Sequence, residues 1–271
     1  MTSFQRVIRD LANIFAIMLI AGIFIGSAGL MLVVTGGVSI KNYVVEQQQN
    51  IDFSQTYENI DEIKIELASS HLLIRSGDEL KVETNDGSIK TKVKKDTLRI
   101  EENGKILSLF DDTTVILYLP EGKYFDKINI EAGAGSVNIE KLLSKKLELD
   151  IGAGETAAQY INVLNNAEID LGTGSFNVDD SDINNLSLDI GVGKCRFNGD
   201  FTGKSKIDVG IGEFIMNTKS PISSYTVNAE TGIGEFTVGN DRINGECTIG
   251  TGDNVLEVSG GIGKVEIGFA E

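Results

Sequence analysis

Between Asp126 and Glu271 the chain alternates apolar and polar residues and interrupts the alternation with glycine at a nearly constant interval. The element apolar-x-apolar-Gly recurs as Ile130-Glu131-Ala132-Gly133, Leu149-Asp150-Ile151-Gly152, Ile169-Asp170-Leu171-Gly172, Leu188-Asp189-Ile190-Gly191, Ile207-Asp208-Val209-Gly210, Ala229-Glu230-Thr231-Gly232, Cys247-Thr248-Ile249-Gly250 and Val265-Glu266-Ile267-Gly268. The glycines lie 19, 20, 19, 19, 22, 18 and 18 residues apart, which is the signature of a repeat architecture. In the first seven units a second glycine follows two residues later, and a new alternating segment such as Phe176/Val178 or Phe214/Met216 comes next. A period of two places these side chains on one face of a strand. Each unit is then two or three short strands, too small to bury its own apolar row. Stacking the units solves this, because neighbours supply each other's core. The expected fold is all-β: a β-solenoid, or stacked β-strand repeat, with coils of about 19 residues. Glycines 133, 152, 172, 191, 210, 232 and 250 would mark the same corner in successive coils, where a positive φ or a close backbone approach is required.

Residues 59–125 alternate less regularly, as in Ile63/Ile65/Leu67 and Val115/Leu117/Leu119, and read as degenerate coils or a capping sheet of the same domain. Upstream, residues 11–34 hold 24 consecutive uncharged, mostly apolar residues. As a helix they would extend about 36 Å, enough to cross a hydrocarbon core of about 30 Å. A cleaved signal peptide is the competing reading, with Gly26-Ser27-Ala28 as the cut. The apolar run continues beyond that point through Leu30-Met31-Leu32-Val33-Val34, which favours a transmembrane α-helix in contact with membrane lipid. Arg6 and Arg9 precede the span and only Lys41 follows closely, so residues 1–10 are expected in the cytoplasm. Residues 35–58 then form a stalk and 59–271 an extracytoplasmic domain. Gly22-xxx-Gly26 is a small-residue pair able to bring two helices together.

Charge narrows the functions open to such a domain. The chain carries −16; Arg6, Arg9 and Asp10 together contribute +1, so the remainder stands at −17. A phosphate backbone would be repelled, which excludes nucleic acid as a partner. The single histidine, His71, cannot supply a multi-histidine metal site and reads as structural or exposed. Cys195 and Cys247 lie on inward rows nearly three coils apart and are expected to be free thiols. Lys90, Lys92, Lys94 and Lys95 alternate as one solvated strand face, with anionic lipid or wall polymer as the other reading. Neither Asn198–Ser205, which resembles a phosphate loop but lacks its first glycine, nor Gly260–Val265, which lacks the aspartate of calcium-binding nonapeptides, is a site.

The residue two before the first glycine is acidic in seven of eight units: Glu131, Asp150, Asp170, Asp189, Asp208, Glu230 and Glu266. Stacked coils would align them as a carboxylate ladder at about 4.8 Å spacing. Neighbouring charges repel by about 1 kcal/mol at that distance even in water, so something should offset them. Bound Ca²⁺ or the lysines and arginines of a cationic peptide would do so. Alternatively, each carboxylate accepts hydrogen bonds from turn amides and shapes the corner, which explains its position without a ligand.

The span, the strand-rich lead-in ending in Val115-Ile116-Leu117-Tyr118-Leu119-Pro120, and serial units such as Leu147-Glu148-Leu149-Asp150-Ile151-Gly152-Ala153-Gly154-Glu155 resemble the bacterial "putative adhesin" β-strand-repeat family over residues 60–271. The resemblance implies a membrane-anchored envelope protein and an association with envelope stress and antimicrobial-peptide resistance. It brings no catalytic residue and no cofactor. The expected role is a non-enzymatic binding or scaffolding module, adhesin-like or stress-associated, whose partner is a cationic peptide, a wall polymer or a protein. Two alternatives stand beside it: a polysaccharide-active β-helix enzyme, and a structural spacer that self-assembles into a homo-oligomer if the final strand Val265–Phe269 leaves an open edge.

Overall fold

In the computed structural model, residues 51–103 and 113–270 are described. The expected cytoplasmic start, the helix at 11–34 and the stalk up to residue 50 lie outside them. Among the described residues no helix is long and apolar enough to cross a membrane.

The strands, in chain order, are β1 (Phe53–Tyr57), β2 (Glu62–Leu67), β3 (His71–Gly77), β4 (Leu80–Thr84), β5 (Ile89–Lys94), β6 (Thr97–Glu102), β7 (Thr114–Pro120), β8 (Lys127–Asn184), β9 (Leu186–Asn198), β10 (Asp200–Thr202), β11 (Lys204–Pro221), β12 (Tyr225–Glu230), β13 (Ile233–Val238), β14 (Asp241–Arg242), β15 (Glu246–Ile249) and β16 (Asn254–Ala270). Phe53–Tyr57, assigned to the stalk from the sequence, is therefore strand, paired antiparallel with β4. β8 winds through three successive coils, with the corner at Gly152 seated on Gly133 and that at Gly172 on Gly152.

Each coil supplies one strand to a first sheet, turns at the glycine corner, supplies a second strand to a second sheet, and continues into a third short stretch, as where Asp200–Thr202 lies parallel to Asp182–Asn184 with Ile183 and Phe201 buried. In the coil of β9, Leu186, Leu188 and Ile190 point inward before the corner, and Cys195 and Phe197 after it. The inward rows form one continuous core from Ile60 to Ile267, within a compact unit of residues 50–271. Phe176, Phe197 and Phe201 interlock within it at ring-centroid distances of 5.3 and 5.2 Å. Cys195 fills one place in this interior as a free thiol, and burial pushes its ionisation far above the usual thiol range. The neutral thiol acts as a small apolar filler.

Two features differ from a simple serial stack. On the N-terminal side, β2 and β3 lie against the first pass of β8, while β6 and β7, later in sequence, stack outside them in parallel. Beyond these, antiparallel β5, β4 and β1 close the end. The lead-in thus contains both degenerate coils and a cap. On the C-terminal side, β16 is inserted between β11 and the earlier coil of β12 and β13, parallel to all three. Antiparallel β15 and β14 close that end.

This corrects three expectations. The segment Cys247-Thr248-Ile249-Gly250 is the cap strand β15 and its exit, so Gly250 does not align with the other corners; it stacks on the Tyr225 carbonyl. The corner of the last coil is Gly261-Ile262-Gly263, seated on Gly210 and Gly212. Val265 to Ile267 are covered on both sides, by Phe214–Met216 and Phe236–Val238, so the final strand presents no open edge. The insertion happens because a coil with both neighbours buries both of its ladders, whereas the short β15 pairs on one side only.

The corner glycines have two separate causes. At the first position a Cβ would meet the carbonyl oxygen of the coil beneath, at 2.3 Å for Gly172 and Gly210. At the second, φ is itself in the glycine region, +140° at Gly212, and a Cβ would lie 1.8 Å from the Gly193 oxygen. Gly212→Ala is therefore expected to destabilise the domain by about 3 kcal/mol or more, lowering Tm by roughly 6–12 °C. Gly87→Ala, where a Cβ meets nothing within 4 Å, is expected to change Tm by less than about 2 °C in the same calorimetric experiment.

Candidate functional site

The strand periodicity turns alternate residues of the first sheet outward, and the corners hold them in rows. Register places Glu66 beside Glu101 and Glu131, Asp170 beside Asp189, Asp189 beside Asp208, Asp208 and Glu230 on either side of Ser259, and Glu230 beside Glu246. Asp150 takes its place between Glu131 and Asp170, because Gly152 sits between Gly133 and Gly172. The acidic row exists and is longer than the sequence repeat implied.

Its membership is altered at both ends. Glu266 is not in it: it stands on the second sheet beside Ile215 and pairs with Lys264 at 2.5 Å. Ser259 occupies the corresponding place in that coil. Glu66, Glu101 and Glu246 join the row unforeseen. The signal for Glu66 was present, since Ile63/Ile65/Leu67 precede Ala68, which stands where the other coils have glycine; Gly133 packs on the Ala68 carbonyl.

A second outward row runs beside the first and decides which acids are neutralised. At its N-terminal end Lys64 pairs with Glu66 at 2.7 Å and Glu131 at 3.0 Å, and Arg99 with Glu101 at 3.2 Å and Glu66 at 3.6 Å. Farther along, Lys206 pairs with Asp208; beyond it, Glu230 and Glu246 form no ion pair among the described residues. Glu148 is held by Lys127 at 2.6 Å and accepts a hydrogen bond from Asn129 at 2.8 Å, so its carboxyl ionises below the usual range. Between Glu131 and Asp208 the ladder is different. Among the described residues, Asp150, Glu168 and Asp170 form no side-chain hydrogen bond and no ion pair. The sequence reading missed Glu168, two residues before Asp170 in the same alternation.

Turn amides do not bind these carboxylates, so the corner-shaping role is not what the structure contains. The corner is set by glycine stacking and ladder bonds such as the Ala134 amide donating to the Ala68 carbonyl at 2.8 Å. Asp170 is shifted upward by partial burial, then by Glu168 and Asp150; Asp189 by partial burial, then by Asp208 and Asp170. Asp150, Glu168 and Asp170 thus form an anionic strip without basic partners, with Asp189 at its margin beside Asp208 and within the field of Lys206, in a domain already strongly negative.

The rest of the surface is shallow. A recess at the C-terminal corner, lined by residues including Ile233, Phe236, Gly260 and Ile262, encloses about 10 Å³, room for one water at most. An open depression of about 300 Å³ lies among Glu62, Asp126, Lys127, Lys145, Lys146 and Asn165. Among the described residues no three His, Cys, Asp or Glu side chains converge as a metal-binding group. His71 is half-buried, with its Nδ1 2.8 Å from the Ser136 hydroxyl, a structural contact. Lys90, Lys92 and Lys94 sit on β5, whose outer edge has no partner strand among the described residues; lysines there discourage edge-to-edge pairing.

The family model of the Toastrack DUF4097 family matches residues 40–259, nearly the whole repeat domain. The chain belongs to this family. That membership bears out the resemblance drawn from the repeat motif. Several solved structures are also similar to the Toastrack chain. A putative cell adhesion protein from Clostridium sporogenes is 18% identical, with 80% of this chain and 98% of that one covered and a TM-score of 0.34. A putative adhesin from Bacteroides fragilis is 12% identical over 79% and 96% of the two chains, TM-score 0.35. A third, from Parabacteroides distasonis, is 14% identical over 80% and 95%, TM-score 0.32. Among curated proteins none matches the Toastrack chain.

The raised carboxyls make a stability prediction. A group whose folded pKa exceeds its unfolded value weakens the fold when ionised, and the loss disappears as pH falls through the raised pKa towards 3.8. Asp170→Asn and Asp189→Asn are each expected to stabilise the Toastrack domain at pH 7 by up to about 1 kcal/mol, given solvent screening. Thermal melts at descending pH should show this gain shrinking and vanishing below pH 3.8.

Proposed function

We propose that this protein is a non-enzymatic binding and scaffolding module of the bacterial envelope, held to the membrane by residues 11–34 with the repeat domain outside. Its binding surface is the anionic strip of the first sheet, and its partner is a polycation: a basic peptide or the basic segment of an envelope protein. The observation that supports this most directly is the distribution of counter-charges. Acids at the N-terminal end of the row are paired within the chain, as is Asp208 farther along, while Asp150, Glu168 and Asp170 between them are not; beyond Asp208, Glu230 and Glu246 are also without an ion pair among the described residues. Self-repulsion retained on a flat, rigid face at a stability cost is characteristic of a surface that another molecule neutralises. A glycan-processing enzyme would instead need an acid pair and a basic group converging in a groove, and these carboxylates lie in a straight row on an open face.

The test uses the full chain in non-ionic detergent and a lysine-rich peptide as probe, followed by titration calorimetry. Saturable binding that weakens with salt is expected, and Asp150→Asn/Asp170→Asn/Asp189→Asn should reduce affinity by about tenfold or more. Undiminished binding by the triple variant would remove the strip from the reading. Hydrolysis of a wall glycan by the wild-type chain would overturn the non-enzymatic assignment.

A further inference from the structure

The residue between the two corner glycines points away from the core in every coil, and its identity changes along the stack. On the N-terminal side it is Ala134, Ala153 and Thr173; then come Val192, Ile211, Ile262 and Ile233. These last four are consecutive in space: register puts Val192 beside Ile211, Ile211 beside Ile262, and Ile262 beside Ile233. They are 48%, 49%, 51% and 73% exposed. Four branched apolar side chains therefore form a column about 14 Å long, at about 4.8 Å per step. The corner does not require them, because alanine and threonine occupy the same place in three other coils. An exposed apolar patch that the fold does not need marks a contact with something else.

The charges beside the column indicate what. Two residues after each member stand Lys194, Glu213, Lys264 and Glu235, whose signs alternate along the stack; within one chain Lys194 reaches Glu213 only at 3.8 Å, with side chains 63% and 32% exposed, and Lys264 also pairs with Glu266. A two-fold axis midway between Ile211 and Ile262, running across the column, reverses this order. It brings Lys194 opposite Glu235 of a second copy and Glu213 opposite the second copy's Lys264, so every charge meets its opposite. The same operation sets Val192 against Ile233 and Ile211 against Ile262. We propose that the corner column is a self-complementary interface through which two copies of this chain pair with their stacks antiparallel. On the other flank Asp208 meets Ser259, and Asp189 meets Glu230, one like-charged pair that limits the affinity. The contact is narrow, so the dimer is weak and depends on local concentration, as for copies held in one membrane or presented by facing surfaces.

Sedimentation velocity of the full chain in non-ionic detergent tests this, with thermal melts to confirm that each variant folds. Ile211→Thr/Ile262→Thr introduces the residue already present at Thr173, and should weaken dimerisation by about tenfold or more without lowering Tm. Lys194→Glu should weaken it by about fivefold, and Lys194→Glu/Glu235→Lys should restore it to within about twofold; Asp189→Asn should strengthen it. A chain that stays monomeric at all concentrations, a dimer unaffected by Ile211→Thr/Ile262→Thr, or a charge swap that fails to restore association would each overturn the proposal. Because Asp150, Glu168 and Asp170 are not among the residues that the two-fold axis brings together, peptide binding by Ile211→Thr/Ile262→Thr should remain at wild-type affinity.

Discussion

Backbone-to-backbone contact at the glycine corner governs this structure. Seven corners, from Gly133/Gly135 to Gly232/Gly234, stack so closely that a single Cβ would overlap a carbonyl oxygen of the coil beneath. Such contact is available only to glycine, and it fixes each coil against the next to within a fraction of a residue. The side-chain period of a strand is two, so a slip of one residue would turn the core row outward and the carboxylate row inward. The corners remove that freedom. Straight columns of like residues, apolar inside and charged outside, follow from them.

A stack of parallel coils leaves two exposed ladders at its ends, and the chain closes both in the same way. At each end it places an outer coil, covers it with short antiparallel strands, and uses another segment to occupy the slot next to the regular stack. β2 and β3 fill that slot on one side and β16 on the other. Among the described residues, the edges without a further partner strand are β5 with its lysines, the five-residue β1, the four-residue β15 and the two-residue β14. Each is too short or too charged to recruit a further strand.

The outward faces are chemically distinct even though one repeat generates them. The first-sheet face carries unpaired negative charge where Asp150, Glu168 and Asp170 lack basic neighbours. The corner carries an apolar column flanked by alternating charge. Both arise from drift at outward positions, which the core does not constrain: the same slot holds alanine in one coil and isoleucine in another. Position within the stack, and not the repeat motif alone, sets which side chains each patch presents.

How far the chain could be read before folding follows from what is local. Alternation with period two and glycine at about nineteen residues are local properties, so the all-β class, the stacked coils, the corner positions through Gly232 and the outward row from Glu131 to Glu230 could be read from the residues alone. Ordinal position in the stack is not local. The motif Val265-Glu266-Ile267-Gly268 matches the repeat pattern as well as any other, yet it forms the second strand of its coil, because the preceding Gly261-Ile262-Gly263 engages Gly210 and Gly212 and sets the register. Cys247-Thr248-Ile249-Gly250 matches too, and becomes a cap because both partners of a full coil were already taken. Alternation states that a side chain faces outward but not which side chains flank it in the neighbouring coils. The pairing of Lys64 and Arg99 with one end of the acidic row, the bare carboxylates at its centre and the adjacency of Ile262 to Ile211 and Ile233 therefore emerge only once hydrogen-bonded neighbours are chosen across long sequence separations.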